Sequence, residues 1–237
     1  MTASLAALVE ERERVLGGLL DSEQKRIAVA AHELAHAFSR GGTLFALGTG
    51  AAATDAAHVV VEFMHPVIVG KRALPALALT NDVTRSSTLA RLARPGDIAL
   101  GIVHGDEDPA VVAFLAQARA AGLLTFALTG EGGQPAADHA FAVPSADPFV
   151  VQEVHETLYH VLWEVVHVFF EHPGLLDDAC ITCGDVAVEA RVVAVENRAA
   201  VVETDGLRQT VAVELIDAVA VGDLVLCHAG VALEKLT

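Results

Sequence analysis

Basic residues are scarce in this sequence. Fifteen Lys and Arg stand against 31 Asp and Glu among 237 residues, for a formal net charge of −16 at pH 7. Nucleic-acid binding needs a basic footprint to neutralise phosphates; none is present, which excludes that class. An anionic membrane surface is excluded as a partner for the same reason. Long apolar runs are also missing. Hydrophobic residues make up 53% of the chain, yet Gly, His, Asp or Pro interrupts every apolar stretch before the roughly 20 residues that a membrane helix needs. The opening MTASLAALVEERERV turns acidic early and lacks the basic-then-apolar order of a secretion signal. The expectation is a cytoplasmic protein whose acidity serves solubility. Cysteine is rare: Cys180, Cys183 and Cys227 all lie in the last quarter. An odd number confined to one end does not make a disulfide framework, so thiolate chemistry or metal contact is the better functional reading.

What is present divides into two textures. Leu5, Leu8, Val9, Val15 and Leu19 recur at helical spacing, which predicts helices over 4–19 and 22–39, the second stopped by Gly41 and Gly42. Short continuous apolar runs follow at 43–47, 73–79, 97–103, 123–128 and 139–143, with helical stretches between most of them, such as 54–65 and 109–121. That alternation predicts an α/β fold, a parallel five-stranded sheet covered on both faces as a three-layer sandwich. A last helix over 148–170 must end at His172-Pro173-Gly174. Beyond 174–179, a linker, the pattern is all β, with Asp205-Gly206 as a hairpin signal between two alternating runs. The predicted domains are 1–173 and 180–237, the second a small all-β, OB-like barrel.

Two segments of the first domain share a physical logic. His58 and Glu62 are four apart, as are Gln152, Glu156 and His160, so each set lies on one helix face. Imidazole, carboxylate and amide groups brought together from two helices make a plausible site for a divalent metal such as zinc. A lone His on a helix is more often a packing residue; four such residues in two motifs favour a site. DAAHVVVEF (55–63), QEVHETLYH (152–160), GGTLFALGTG (41–50), RPGDIALGI (94–102) and FALTGEGG (126–133) together resemble the phosphoheptose isomerase branch of the SIS (sugar isomerase) family, over most of residues 1–170. The resemblance implies zinc or another divalent metal on His58, Glu62, Gln152 and His160. It also implies Glu62 and His160 as the acid/base pair of an aldose–ketose isomerase acting on sedoheptulose 7-phosphate. Ligand-loop positions would be Thr49, Thr54, Asp55, Asn81, Asp82, His104 and Gly105.

The chain departs from that family on the substrate side. A Ser/Thr-rich phosphate loop is expected after the third strand, where hydroxyls and amides at a helix start would cradle the anion. Here the loop reads Val103-His104-Gly105-Asp106-Glu107-Asp108, without a hydroxyl and with three carboxylates that would repel phosphate. Ala51-Ala52-Ala53-Thr54 replaces an expected Gly-Gly-Ser, Pro66 an arginine and Phe149 an aspartate. The expectation is a metal half retained and weak or no sugar-phosphate isomerisation.

Residues 180–236, above all VGDLVLCHAGVAL (221–233), resemble the HypC/HupF chaperones of nickel–iron hydrogenase maturation. The resemblance implies Cys180 and His228 as carriers of an Fe(CN)2CO centre, transiently bound, with a HypD-like protein and the hydrogenase large subunit as partners. Cys183 adds a second thiol in a C-x-x-C pair. The alternative is a zinc knuckle of Cys180, Cys183, Cys227 and His228. Neighbours on a strand point to opposite faces, which counts against pairing Cys227 with His228, and Cys227 alone reads as a core residue. The leading expectation is a maturation factor whose SIS domain oligomerises, as a dimer or tetramer, or binds a ligand or metal. The isomerase is the alternative.

Overall fold

The structure, a computed structural model, describes residues 4–79, 85–171, 176, 188–196, 198–204, 206–216, 218–228 and 230–236. It comprises two compact units, Met1–Glu23 with Arg40–Trp163, and Gln24–Ser39 with Glu164–Thr237. Among the described residues, no helix is long and apolar enough to cross a membrane.

The chain starts with α1 (Leu5–Ser39), one helix of 35 residues. This corrects the expectation of separate helices over 4–19 and 22–39. Nothing at 20–21 breaks the backbone ladder, and the Ser22 hydroxyl donates to the Leu19 carbonyl at 3.1 Å, a local bond that a continuous helix tolerates. Gly41, at φ +89°, turns the chain out of the helix.

Then strands and helices alternate: β1 (Leu44–Gly48), α2 (Ala52–Met64), β2 (Ala76–Ala78), α3 (Arg85–Leu92), β3 (Ile98–Ile102), α4 (Pro109–Ala120), β4 (Leu124–Thr129), β5 (His139–Ala142) and α5 (Pro148–Glu171). The five strands form one sheet in the order β2-β1-β3-β4-β5, with every pairing parallel. All residues of β1 and β3 are buried, which is why these segments read as continuous apolar runs and not as alternating ones. Phe45, Leu47 and Ala99 of the sheet pack with Val111, Phe114 and Leu115 of α4. In the same unit, Val15 and Leu19 of α1 pack with Val150, Val151 and Val154 of α5. At Gly48 a Cβ would stand 2.0 Å from the Ala52 carbonyl oxygen. Only glycine lets the end of β1 approach the first turn of α2 this closely.

In the second unit, β6 (Val188–Glu196), β7 (Ala199–Thr204), β8 (Leu207–Ala212), β9 (Leu224–His228) and β10 (Val231–Lys235) close into a barrel in the order β10-β8-β7-β6-β9. Its pairings are antiparallel except β10 with β8. The β7–β8 turn carries Gly206 at φ +80°, as the hairpin signal predicts; Asp205 lies outside the described residues. Val192, Val202, Val211, Val225 and Cys227 fill the barrel.

Candidate functional site

The strand order places the site. After β2 the chain returns across β1 to β3, so the connections leaving the C-terminal ends of β1 and β3 diverge and open a crevice between them. Thr49 follows β1, and residues 103–108 follow β3. The helix α2 contributes Asp55, His58 and Glu62, and α5 contributes Gln152, His155, Tyr159 and His160.

Two clusters result. In the first, His58, Glu62 and His160 each offer a ligand atom, all within 4.8 Å of one another. His58 Nε2 lies 3.2 Å from Glu62 Oε1, and His58 Nδ1 lies 2.8 Å from the Tyr159 hydroxyl. In the tautomer with its hydrogen on Nδ1, His58 would donate to the phenol oxygen and present its Nε2 lone pair beside Glu62, the arrangement a metal ligand requires. Burial, reinforced by the negative charges of Glu156, Asp55 and Glu62, pushes the Tyr159 phenol far up, so it stays neutral. Two imidazoles and a carboxylate at this spacing fit zinc or a similar divalent ion. Gln152, the fourth expected ligand, donates its Nε2 to Asp55 Oδ1 at 2.9 Å, which leaves its carbonyl oxygen, the atom a cation would take.

The second cluster is Asp55, His104 and His155, again with ligand atoms within 4.8 Å of one another. His104 Nε2 is 2.5 Å from Asp55 Oδ2, and Asp55 is buried, with only 1% of its surface exposed. The fully buried His155 donates Nε2–H to the Thr129 carbonyl at 3.1 Å. Desolvation lowers its pKa to about 4, so it is a neutral base near pH 7. From sequence, Asp55 and His104 read only as ligand-loop positions, and His155 is not among the candidates. The available signal was its position in QEVHETLYH, three residues after Gln152 and therefore near the same helix face.

The loop after β3 is built differently from an open acidic loop. Asp108 is the N-cap of α4, with Pro109 in the first turn. Its Oδ1 accepts from the amides of Ala110 (2.8 Å) and Val111 (3.3 Å), and its Oδ2 accepts from the Thr49 hydroxyl at 2.7 Å. A carboxylate of the chain itself therefore sits on the helix N-terminus, where an external anion would otherwise find its donors. Thr54 donates its hydroxyl to the Ala51 carbonyl inside its own helix turn, and the Gly105 carbonyl accepts from the Gly130 amide. Asn81, Asp82, Cys180 and Cys183 lie outside the described residues, as does the side chain of His228. Cys227 is fully buried in the barrel.

The SIS domain model matches residues 9–130. The chain is 33% identical over 184 residues to the phosphoheptose isomerase of Solidesulfovibrio magneticus, covering 70% of this chain and 90% of that one. The chain belongs to the SIS family, on its phosphoheptose isomerase branch. A relative from Aquifex aeolicus, also a phosphoheptose isomerase, is 30% identical over 183 residues, with 70% of this chain and 96% of that one covered. Among solved structures, the phosphoheptose isomerase of Francisella tularensis shares the fold of this SIS domain at a TM-score of 0.61 and 23% identity, covering 70% of this chain and 98% of that one. The HupF/HypC family matches residues 186–237, the segment that forms the barrel. If the SIS domain is an enzyme, it is an aldose–ketose isomerase of the phosphoheptose isomerase type.

Proposed function

We propose that the chain is a nickel–iron hydrogenase maturation factor: its barrel handles the Fe(CN)2CO centre or the hydrogenase large subunit, and its SIS domain supplies a metal-binding, oligomerising platform. The HupF/HypC match over 186–237 carries this reading. The Fe(CN)2CO unit is cargo here, with Cys180 as the thiolate that would hold it, Cys183 three residues further on, His228 near the end of the barrel segment as the second candidate carrier, and a HypD-like protein as the partner in transfer. Apolar residues exposed in and after α2, Val61, Met64, Val67, Ile68 and Val69, support association of copies as a dimer or tetramer.

The second reading is a metal-dependent isomerase of sedoheptulose 7-phosphate or a related sugar phosphate. The clustering of His58, Glu62 and His160 favours it. A metal bound there, with Gln152 as a further ligand, would polarise a substrate carbonyl as a Lewis acid. Glu62 and His160 have the chemistry to move a proton between adjacent carbons. Asp108 speaks against it, because its carboxylate fills the helix N-terminus that would hold the phosphate.

The test is an infrared and metal analysis of the chain co-expressed with its candidate partners. Cyanide and carbonyl stretching bands that disappear in Cys180→Ala are the expected result. Absence of those bands, together with isomerisation of sedoheptulose 7-phosphate that Glu62→Gln abolishes, would replace the first reading with the second.

A further inference from the structure

We propose that Asp55, His104 and His155 form a second divalent transition-metal site, separate from the His58–Glu62–His160 cluster. The donor set is two imidazoles and one carboxylate, drawn from three places in the chain: the first turn of α2, the loop after β3 and the second turn of α5. That composition suits zinc, iron, cobalt or nickel in the divalent state and suits calcium or magnesium poorly.

Several observations converge on it. His155 donates Nε2–H to the Thr129 carbonyl, which fixes the tautomer and leaves Nδ1 as the lone-pair nitrogen. Among the described residues, that Nδ1 is buried without a hydrogen-bond partner, and so is the Thr129 hydroxyl oxygen. An orphaned lone pair on a fully buried imidazole is unfavourable unless something binds it. The ring of His104 stands 6.0 Å from that of His155, centroid to centroid. Asp55 is oriented from its other oxygen by Gln152 Nε2, the kind of outer contact that aims a ligating carboxylate. His104 Nε2 and Asp55 Oδ2 already stand side by side, and a metal bound between them would replace the proton that joins them. A purely structural network would satisfy all its members; this one leaves a lone pair open.

The two clusters are coupled but separable. Asp55 and His58 are three apart on α2, and His155 and His160 five apart on α5. Only the second cluster uses His104, from the loop whose residues depart from the isomerase pattern, so removing that imidazole isolates it.

The experiment is a Co2+ titration of chelator-stripped full-length protein, following visible d–d absorption and bound metal by equilibrium dialysis. Wild type, His104→Ala, His160→Gln and the double variant are compared, with Trp163 fluorescence checking that each is folded. The expected result is one equivalent less in His104→Ala than in wild type, a different equivalent missing in His160→Gln, and both missing in the double variant. Cobalt held by Cys180 or Cys183 would be common to all four and would cancel. Equal uptake by wild type and His104→Ala would overturn the second site and leave the first standing. Loss in His104→Ala with no change in His160→Gln would uphold it and remove the first. If His104→Ala unfolds, His104→Asn keeps a donor to Asp55 without an imidazole and is read the same way.

Discussion

His155 makes stability depend on acid in a calculable way. Its pKa is lowered from 6.5 to about 4 chiefly by burial; the hydrogen bond to the Thr129 carbonyl offsets part of this, the charge of His104 lowers it further, and Asp55 raises it least. The folded chain therefore binds fewer protons at this group than the unfolded chain at any pH between those two values. Unfolding takes up a proton there, so stability is present above the unfolded pKa and is lost as pH falls toward the folded one. The full loss is about 3 kcal/mol, of which about 2 kcal/mol falls between pH 7.5 and about pH 5. Trp163 is the chain's sole tryptophan, is buried, and lies in the same unit as His155. Urea unfolding followed by its fluorescence, with a chelator present, measures the effect. His155→Gln keeps an N–H donor for the Thr129 carbonyl and cannot titrate. The wild type should lose about 2 kcal/mol more than His155→Gln over that interval. Parallel pH profiles for the two proteins would refute the reasoning, because other carboxylates and histidines titrate in both.

Asp108→Ala removes the acceptor for two α4 amides and should cost about 1 kcal/mol of stability, measured by urea unfolding. Asp108→Ser keeps a cap and frees the helix N-terminus, so inorganic phosphate should raise the Tm of this variant and leave the wild type unchanged. Gly48→Ala forces a Cβ into the Ala52 carbonyl and should destabilise by about 3 kcal/mol or fail to fold, read by soluble yield and circular dichroism. Cys227→Ser puts a hydroxyl in the apolar barrel core and should cost about 1–3 kcal/mol, seen by calorimetry.

The sheet was legible because β1 and β3 are buried on both faces and so appear as uninterrupted apolar runs. The barrel was legible through alternation and the turn at Gly206. The first cluster was legible because His58 and Glu62 sit one helical turn apart, a spacing visible without tertiary information. The second was not, because its central bond joins Asp55 to His104 across 49 residues. That meeting depends on β1 and β3 being neighbours with their C-terminal ends on one edge, which local periodicity does not encode. Asp108 was misjudged differently. Counted as one of three loop carboxylates, it reads as free negative charge; the following Pro109 was a sign that it caps a helix. The continuity of α1 through Leu20 and Asp21 comes from packing and not from a pattern: Val15 and Leu19 are anchored before that point, and Ile27, Leu34 and Phe38 are buried after it.

The altered positions around the crevice have one physical consequence. A phosphate dianion entering there would have to displace Asp108 from Thr49 and from two amides, then lie beside Asp106 and Glu107. At an effective dielectric near 20, each unit charge pair about 4 Å apart repels by about 4 kcal/mol, more than a helix N-terminus returns. Isomerases spend binding energy from a remote phosphate on orienting the reacting carbons, so losing that anchor lowers turnover as well as affinity. Glu62 and His160, the proton-transfer pair that the isomerase reading proposes, are untouched by these changes. Under the proposed reading, the crevice is thus suited to a small neutral or cationic ligand, and a metal ion bound by Asp55, His104 and His155 is the cationic case that its buried donors fit.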